Sequence, residues 1–342
     1  MRKIFNVLIL ILFLIAFIKV YNVQAKKSFF CKGLHYTGKG MQTGYERGLM
    51  KITKIPYYKL TCKKCHVKNC DVCHAKKEGK IWKYSVFEAK KNKTCVKCHR
   101  RAKVAALLAK KQGIKDVHFS KGIMCGDCHR GSDVHGKGIS YKSMLEPGAV
   151  EASCSQCHTE VQLERVSAHK VHKGKLDCLA CHVANSIACL NCHFNYRAHK
   201  KGNFFPYLNF LLLVNHNGKV TAGTAMTIVY NGKKFIVYAP YFTHVITKGR
   251  SCKDCHGNEA VKLITQGKKV PMFTYKKGKA KTWKGVVPVV KGKLEWIYLD
   301  KKSVKGPWIP LNTTPTSVQW WYCKPLTKEQ LKKLSMRHDN IN

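Results

Sequence analysis

The sequence predicts a mostly irregular and α-helical chain wrapped around stacked prosthetic groups, with a small antiparallel β-hairpin insert. Three observations lead there: a short motif repeated eight times, helix-forming runs between the copies, and two Asn-Gly turns between apolar segments further on. The motif is C-x-x-C-H. Its copies begin at Cys62, Cys70, Cys95, Cys125, Cys154, Cys178, Cys189 and Cys252, and they use sixteen of the eighteen cysteines.

A zinc ribbon or a redox disulfide also uses C-x-x-C, but neither needs a histidine directly after the second cysteine. Here histidine follows in all eight copies, although the chain has only 17 histidines in 342 residues. Covalent haem c does require this order: two thiols bond the porphyrin and the adjacent imidazole ligates the iron. The expected attachment residues are Cys62 and Cys65, Cys70 and Cys73, Cys95 and Cys98, Cys125 and Cys128, Cys154 and Cys157, Cys178 and Cys181, Cys189 and Cys192, and Cys252 and Cys255. The expected proximal ligands are His66, His74, His99, His129, His158, His182, His193 and His256, for eight covalently attached haem c groups.

Nine other histidines remain, close to one per haem. His118, His172 and His244 lie six to eight residues before a motif cysteine, and His135 and His199 lie six residues after a motif histidine. His169 and His172 are three apart on an expected helix, so they share a face and could serve two neighbouring haems. These six are the expected distal ligands; His35, His216 and His338 are further candidates without such placement. Ligation by histidine alone omits the Met/His pairing that raises potential, so low potentials are expected. Motifs starting eight residues apart (Cys62, Cys70) or eleven apart (Cys178, Cys189) force porphyrins into near contact, as an electron wire requires.

The domain order follows from the texture of the chain. Residues 1–25 read as a cleaved signal peptide: Arg2 and Lys3, an apolar run from Ile4 to Ile18, then Val23-Gln24-Ala25 with a small residue at the cut site. The run is interrupted by Lys19 and falls short of the roughly 20 apolar residues a spanning helix needs. A periplasmic or extracellular location is therefore expected, which agrees with haem attachment. An N-terminal arm (26–60) precedes a heptahaem core (61–200), where motifs are too dense for an ordinary apolar core and the porphyrins must take its place. Arg100–Gly113 and Thr159–Gly174 are the expected helices, the second with Thr159 as N-cap. A β-hairpin segment (201–250) centres on Asn217-Gly218 and Asn231-Gly232, the strongest local hairpin signal. The eighth motif (251–258) and a haem-free C-terminal belt (259–342) complete the chain. Cys31 and Cys323 are left over, and in an oxidising compartment a disulfide between them is expected.

The formal charge is +45, from 63 Lys and Arg against 18 Asp and Glu. Such a surplus draws acidic redox partner proteins or an anionic small substrate. Nucleic acid is not an expected partner, because the chain carries an export signal and no nucleic-acid motif.

The eight motifs, with CGDCHRGSDVH (Cys125–His135) and HKGKLDCLACHVANSIACLNCH (His172–His193), resemble the octahaem c-type cytochromes. That superfamily of multihaem cytochromes c contains hydroxylamine oxidoreductase and octahaem tetrathionate reductase. The resemblance covers roughly residues 60–200 and 244–256. Enzymatic members keep one haem without a distal histidine, or place lysine there; this sequence has no C-x-x-C-K variant. The histidine surplus favours an exported octahaem cytochrome relaying electrons through bis-histidine haems in anaerobic-type respiration, with a membrane quinol-oxidising protein as a candidate partner; the resemblance favours the oxidoreductase alternative. The alternatives are an oxidoreductase acting on hydroxylamine, nitrite or tetrathionate at one open haem, and an oligomer forming an extracellular cytochrome filament.

Overall fold

The computed structural model describes residues 29–60, 67–193, 205–207, 210–242, 245–277, 279–300 and 306–336. The expected signal peptide lies outside them. The chain gathers into two bodies, each assembled from separated segments.

The first body comprises the described residues of Met1–Gly44, Cys62–Lys91 and Cys125–Ser153. Its regular structure is short: helical turns, and one antiparallel hairpin of β1 (Ala75–Glu78) and β2 (Ile81–Tyr84) closed at Gly79. Helix Leu34–Thr37 packs on helix Gly131–His135. A Cβ on Gly33 would sit 2.8 Å from the His135 carbonyl oxygen, so only glycine permits this approach. Ile81, Trp82, Tyr84, Val86 and Phe87 are each more than half exposed.

The second body comprises the described residues of Tyr45–Thr61, Asn92–Met124 and Cys154–Asn342. Its strands in chain order are β3 (Ala188–His193), β4 (Phe205–Tyr207), β5 (Phe210–His216), β6 (Lys219–Tyr230), β7 (Lys233–Pro240), β8 (Val270–Lys276), β9 (Lys279–Thr282), β10 (Gly285–Pro288), β11 (Leu294–Trp296), β12 (Tyr298–Asp300), β13 (Ile309–Leu311) and β14 (Ser317–Trp320). Seven of them form one mixed sheet, with β10, β5, β6, β3 and β4 in order, β7 on β6, and β14 on β7. Strand β6 is the hub, antiparallel to β5 and β7 and parallel to β3. Both Asn-Gly turns form where they were read. Asn217 and Gly218 have φ of 51° and 84°, and Asn231 and Gly232 have 47° and 70°, the double positive φ that a two-residue hairpin turn demands.

The expectation of a mostly irregular and α chain with a small hairpin insert is overturned by this sheet. The hairpins are its centre rather than an insert. The runs GVVPVV and LEWIYL, read as a belt, supply β10, β11 and β12. Parallel neighbours β3, β10 and β14 come from distant parts of the chain, and no local turn signal announces such pairings. Beyond the motif-dense stretch 61–200, side chains build a core of their own. FLLLV (Phe210–Val214) is buried throughout, as a strand covered on both faces should be. All three clusters of buried apolar side chains lie in this second body.

The texture is reversed before Gly174. Of the twenty-one large apolar side chains exposed among the described residues, eighteen precede it. The porphyrin-as-core reading thus keeps its motive in the motif-dense half and loses it in the sheet.

Two helix expectations are refined. Arg100–Lys111 is one helix that buries Ala105 and Ala109 against the sheet body, and Gly113 follows in the left-handed region. The Thr159–Gly174 run divides into Glu160–Glu164, started by a Thr159/Gln162 capping box, and Ser167–His172. The break falls at Val166, which is extended (φ −109°, ψ 119°) and β-branched, a poor helix former. The expected disulfide is absent: Cys31 and Cys323 are both free thiols. Cys323 is buried in the sheet core, where burial pushes its thiol up to about 12.

Phe210→Ala should lower the guanidinium unfolding midpoint, with a loss of about 3–5 kcal/mol. Val318→Ala, at the one exposed position of β14, should change stability by no more than about 0.5 kcal/mol. Equal effects would contradict the core assignment.

Candidate functional site

Six of the eight motifs fold into the same local form. The N–H of His74, His99, His129, His158 and His256 donates to the carbonyl of its own first cysteine at 2.9, 3.0, 2.9, 2.9 and 2.8 Å. Cys178–His182 is a helical turn capped by Asp177, whose side chain accepts from Leu179 N–H. One turn of helix brings residues i, i+3 and i+4 to one side. Two thiols and an imidazole therefore face the same way in each motif, and none of the described motif thiols is in a disulfide.

The Cys189–His193 copy departs from this form. It lies in β3, parallel to β6, with a register shift between Cys189 and Cys192. A strand turns successive side chains to opposite faces, so this backbone does not gather its motif residues as the helical turns do. The side chains of Cys192 and His193, and all of Cys62, Cys65 and His66, lie outside the described residues.

The spare histidines are brought to the motif histidines in pairs. Ring centroids lie 6.0 Å apart for His74 and His135, 6.2 Å for His118 and His158, 6.1 Å for His169 and His182, and 6.2 Å for His172 and His256. Every pair joins one motif histidine to one non-motif histidine. An imidazole nitrogen binds a transition-metal ion at about 2 Å and lies roughly 1 Å from its ring centre, so rings flanking one ion have centroids about 6 Å apart. The observed spacings match that value. His169 and His172, three apart on helix Ser167–His172, reach two different motifs.

The outward ring nitrogens are held by the backbone. Nδ1 of His169 meets the Leu163 carbonyl at 3.0 Å and Nδ1 of His172 meets that of Ala168 at 2.8 Å. Nδ1 of His182 and His256 meets the carbonyls of Thr247 and Lys333 at 3.0 and 3.1 Å. A carbonyl only accepts, so Nδ1 carries the hydrogen and Nε2 presents its lone pair to a metal. Burial first, and then the neighbouring His74, hold His135 below the usual imidazole value, which favours the neutral form that ligation uses.

Other candidates are placed differently. His35 lies in the first body with Nδ1 at 3.1 Å from the Val134 carbonyl. His216 ends β5, its Nδ1 on the Tyr322 carbonyl and its Nε2 facing the Asn217 amide, an arrangement that belongs to the sheet. His199, His244 and His338 lie outside the described residues. Among those residues, no three His, Cys, Asp or Glu side chains converge as a metal group. A tetrahedral zinc site draws on four ligands, whereas a haem iron takes only two from the chain, so the imidazole pairs are the relevant arrangement.

Features around the motifs fit a haem. Cys70 and His74 open on a cleft walled by Tyr84, Ser85 and Val86, an apolar and aromatic lining. In the second body Arg250 donates to the Val183 carbonyl at 2.8 Å and to that of Ala184, while its buried Nε has no partner. Burial lowers the pKa of Arg250, which lies beside Cys181 and Cys255, from two different motifs. A buried guanidinium donor left over beside two motifs suits a propionate carboxylate. The thiols of Cys154 and Cys178, again from separate motifs, hydrogen-bond each other; that bond holds the Cys178 thiol down to about 6 and pushes Cys154 up.

Sequence reasoning missed Arg250, Asp116 and Asp133. Asp116 accepts from the N–H of His118, Phe119 and Ile246, tying the His118 loop to the strap that orients His182. Only Asp133 had a local signal, standing four residues after His129. Comparison with known protein families, curated proteins and solved structures finds no match for this chain.

With the thiols unmodified, the hydrogen bond from Cys154 holds the Cys178 thiol below its ordinary value. Its alkylation by iodoacetamide should therefore set in at lower pH than that of an ordinary thiol, and Cys154→Ala should move the half-point upward. A Cys178 profile that Cys154→Ala leaves unchanged would contradict the thiol–thiol contact.

Proposed function

We propose that the chain is an exported multihaem c-type cytochrome that relays electrons through closely spaced bis-histidine haems. The observation that carries this reading is the set of four imidazole pairs, each of one C-x-x-C-H histidine and one non-motif histidine, at 6.0–6.2 Å. Bound haem supplies one-electron chemistry at its iron. The motif thiols and the paired imidazoles are the residues that would hold it, and backbone carbonyls fix the ring tautomers. Two imidazoles for one iron would favour relay over substrate chemistry at these four sites. The Cys154–Cys178 contact and the shared helix of His169 and His172 keep the centres of His158, His182 and His256 next to one another. The basic surface suits an acidic redox partner.

Intact mass should exceed that of the polypeptide by eight haem units, one per motif. A deficit of one unit mapped to the Cys189–His193 peptide would mean that the strand form persists there. A mass without haem would end the proposal. His118→Ala, His135→Ala, His169→Ala and His172→Ala should each convert one haem to high spin, read by electron paramagnetic resonance. Each should also add about one carbon monoxide bound per reduced chain. Unchanged spectra in all four would contradict the pairings.

A further inference from the structure

The ring nitrogen that faces away from a metal sets how basic the ligand is. For His169, His172, His182 and His256 that nitrogen meets a backbone carbonyl. For His129 it meets a carboxylate: Nδ1 lies 3.2 Å from Oδ2 of Asp133, one turn further on in helix Gly131–His135. The Asp133 side chain is only 4% exposed. It is held independently of the histidine, because Oδ1 accepts from Glu151 N–H at 2.7 Å and Oδ2 from Ala152 N–H at 3.2 Å. The loop at 151–152 thus aims the carboxylate at the imidazole.

A carboxylate drawing on the Nδ1 hydrogen makes Nε2 a stronger electron donor and favours the more positive oxidation state of the metal it binds. We propose that Asp133 is a positioning residue that sets the His129 centre at a lower potential than those of His182 and His256. The inference rests on the proposed haem ligation. Helix Gly131–His135 also carries His135, the partner of His74, so one short helix serves two centres of the first body.

The test uses the full haem-loaded protein with Asp133→Asn and Asp133→Glu. Intact mass comes first, because a wild-type mass without haem defeats the functional proposal and this one together, whereas unmoved midpoints in a haem-loaded chain defeat this one alone. With eight haems in place, Asp133→Asn should raise one midpoint in a spectroelectrochemical titration. The expected size is about tenfold in the ferric/ferrous preference, or about 59 mV for one electron. The low-spin resonance of a single haem should change with it. Asp133→Glu, which keeps a carboxylate, should restore most of the shift. Unmoved midpoints, a fall, or equal shifts in both variants would overturn the proposal. So would loss of one haem from Asp133→Asn with its retention in Asp133→Glu, which would make the role one of holding the ligand alone.

Discussion

Two side chains that bind one ion from opposite sides must be held with their rings about 6 Å apart, and neither can supply that distance alone. The motif helical turn fixes one ring relative to two thiols. The partner ring must then come from an element that the fold, not the motif, brings into place. That constraint explains much of the architecture. Helix Ser167–His172 is too short to be stable by itself, yet it delivers two imidazoles to two motifs. The strap at Val245–Thr247 is bonded to Asp116 and Val117 on one side and to His182 and Ala184 on the other. It therefore fixes the His118 loop and the His182 ring together.

Within the second body, the sheet supports the elements that carry the paired rings. Buried strands β5, β6 and β7 form a body whose packing does not depend on prosthetic groups. Helix Arg100–Lys111 is seated on it through Ala105 and Ala109, and through Arg101, which donates to the Ile187 carbonyl and to Thr224. The His256 ring is oriented by Lys333 of the C-terminal helix Lys328–Ser335. The C-terminal segment thus reaches back to a motif rather than merely enclosing the chain. By contrast, the first body has exposed aromatic residues and no cluster of buried apolar side chains among the described residues.

What was legible in the sequence was local. Asn217-Gly218 and Asn231-Gly232 announced their turns because only a few residue types accept two positive φ values in succession. Helix Arg100–Lys111 was visible from its composition and its glycine stop. His118, His135, His169 and His172 were visible as ligand candidates because they outnumber any structural need and sit near motifs. Their partners were not visible, because His118 to His158 and His172 to His256 are tertiary pairings across 40 and 84 residues. The sheet was underestimated for the same reason: β10 and β14 join β5 and β7 in parallel from far along the chain. The Cys31–Cys323 disulfide rested on cysteine parity alone, and both are free thiols in the structure.

Anomalous diffraction from crystals of the purified full-length protein, collected at the iron edge, tests the central claim most directly. The account predicts an iron peak midway between the rings of each pair: His74 and His135, His118 and His158, His169 and His182, His172 and His256. Iron peaks lying away from these midpoints, or a signal at the zinc edge alone, would contradict it.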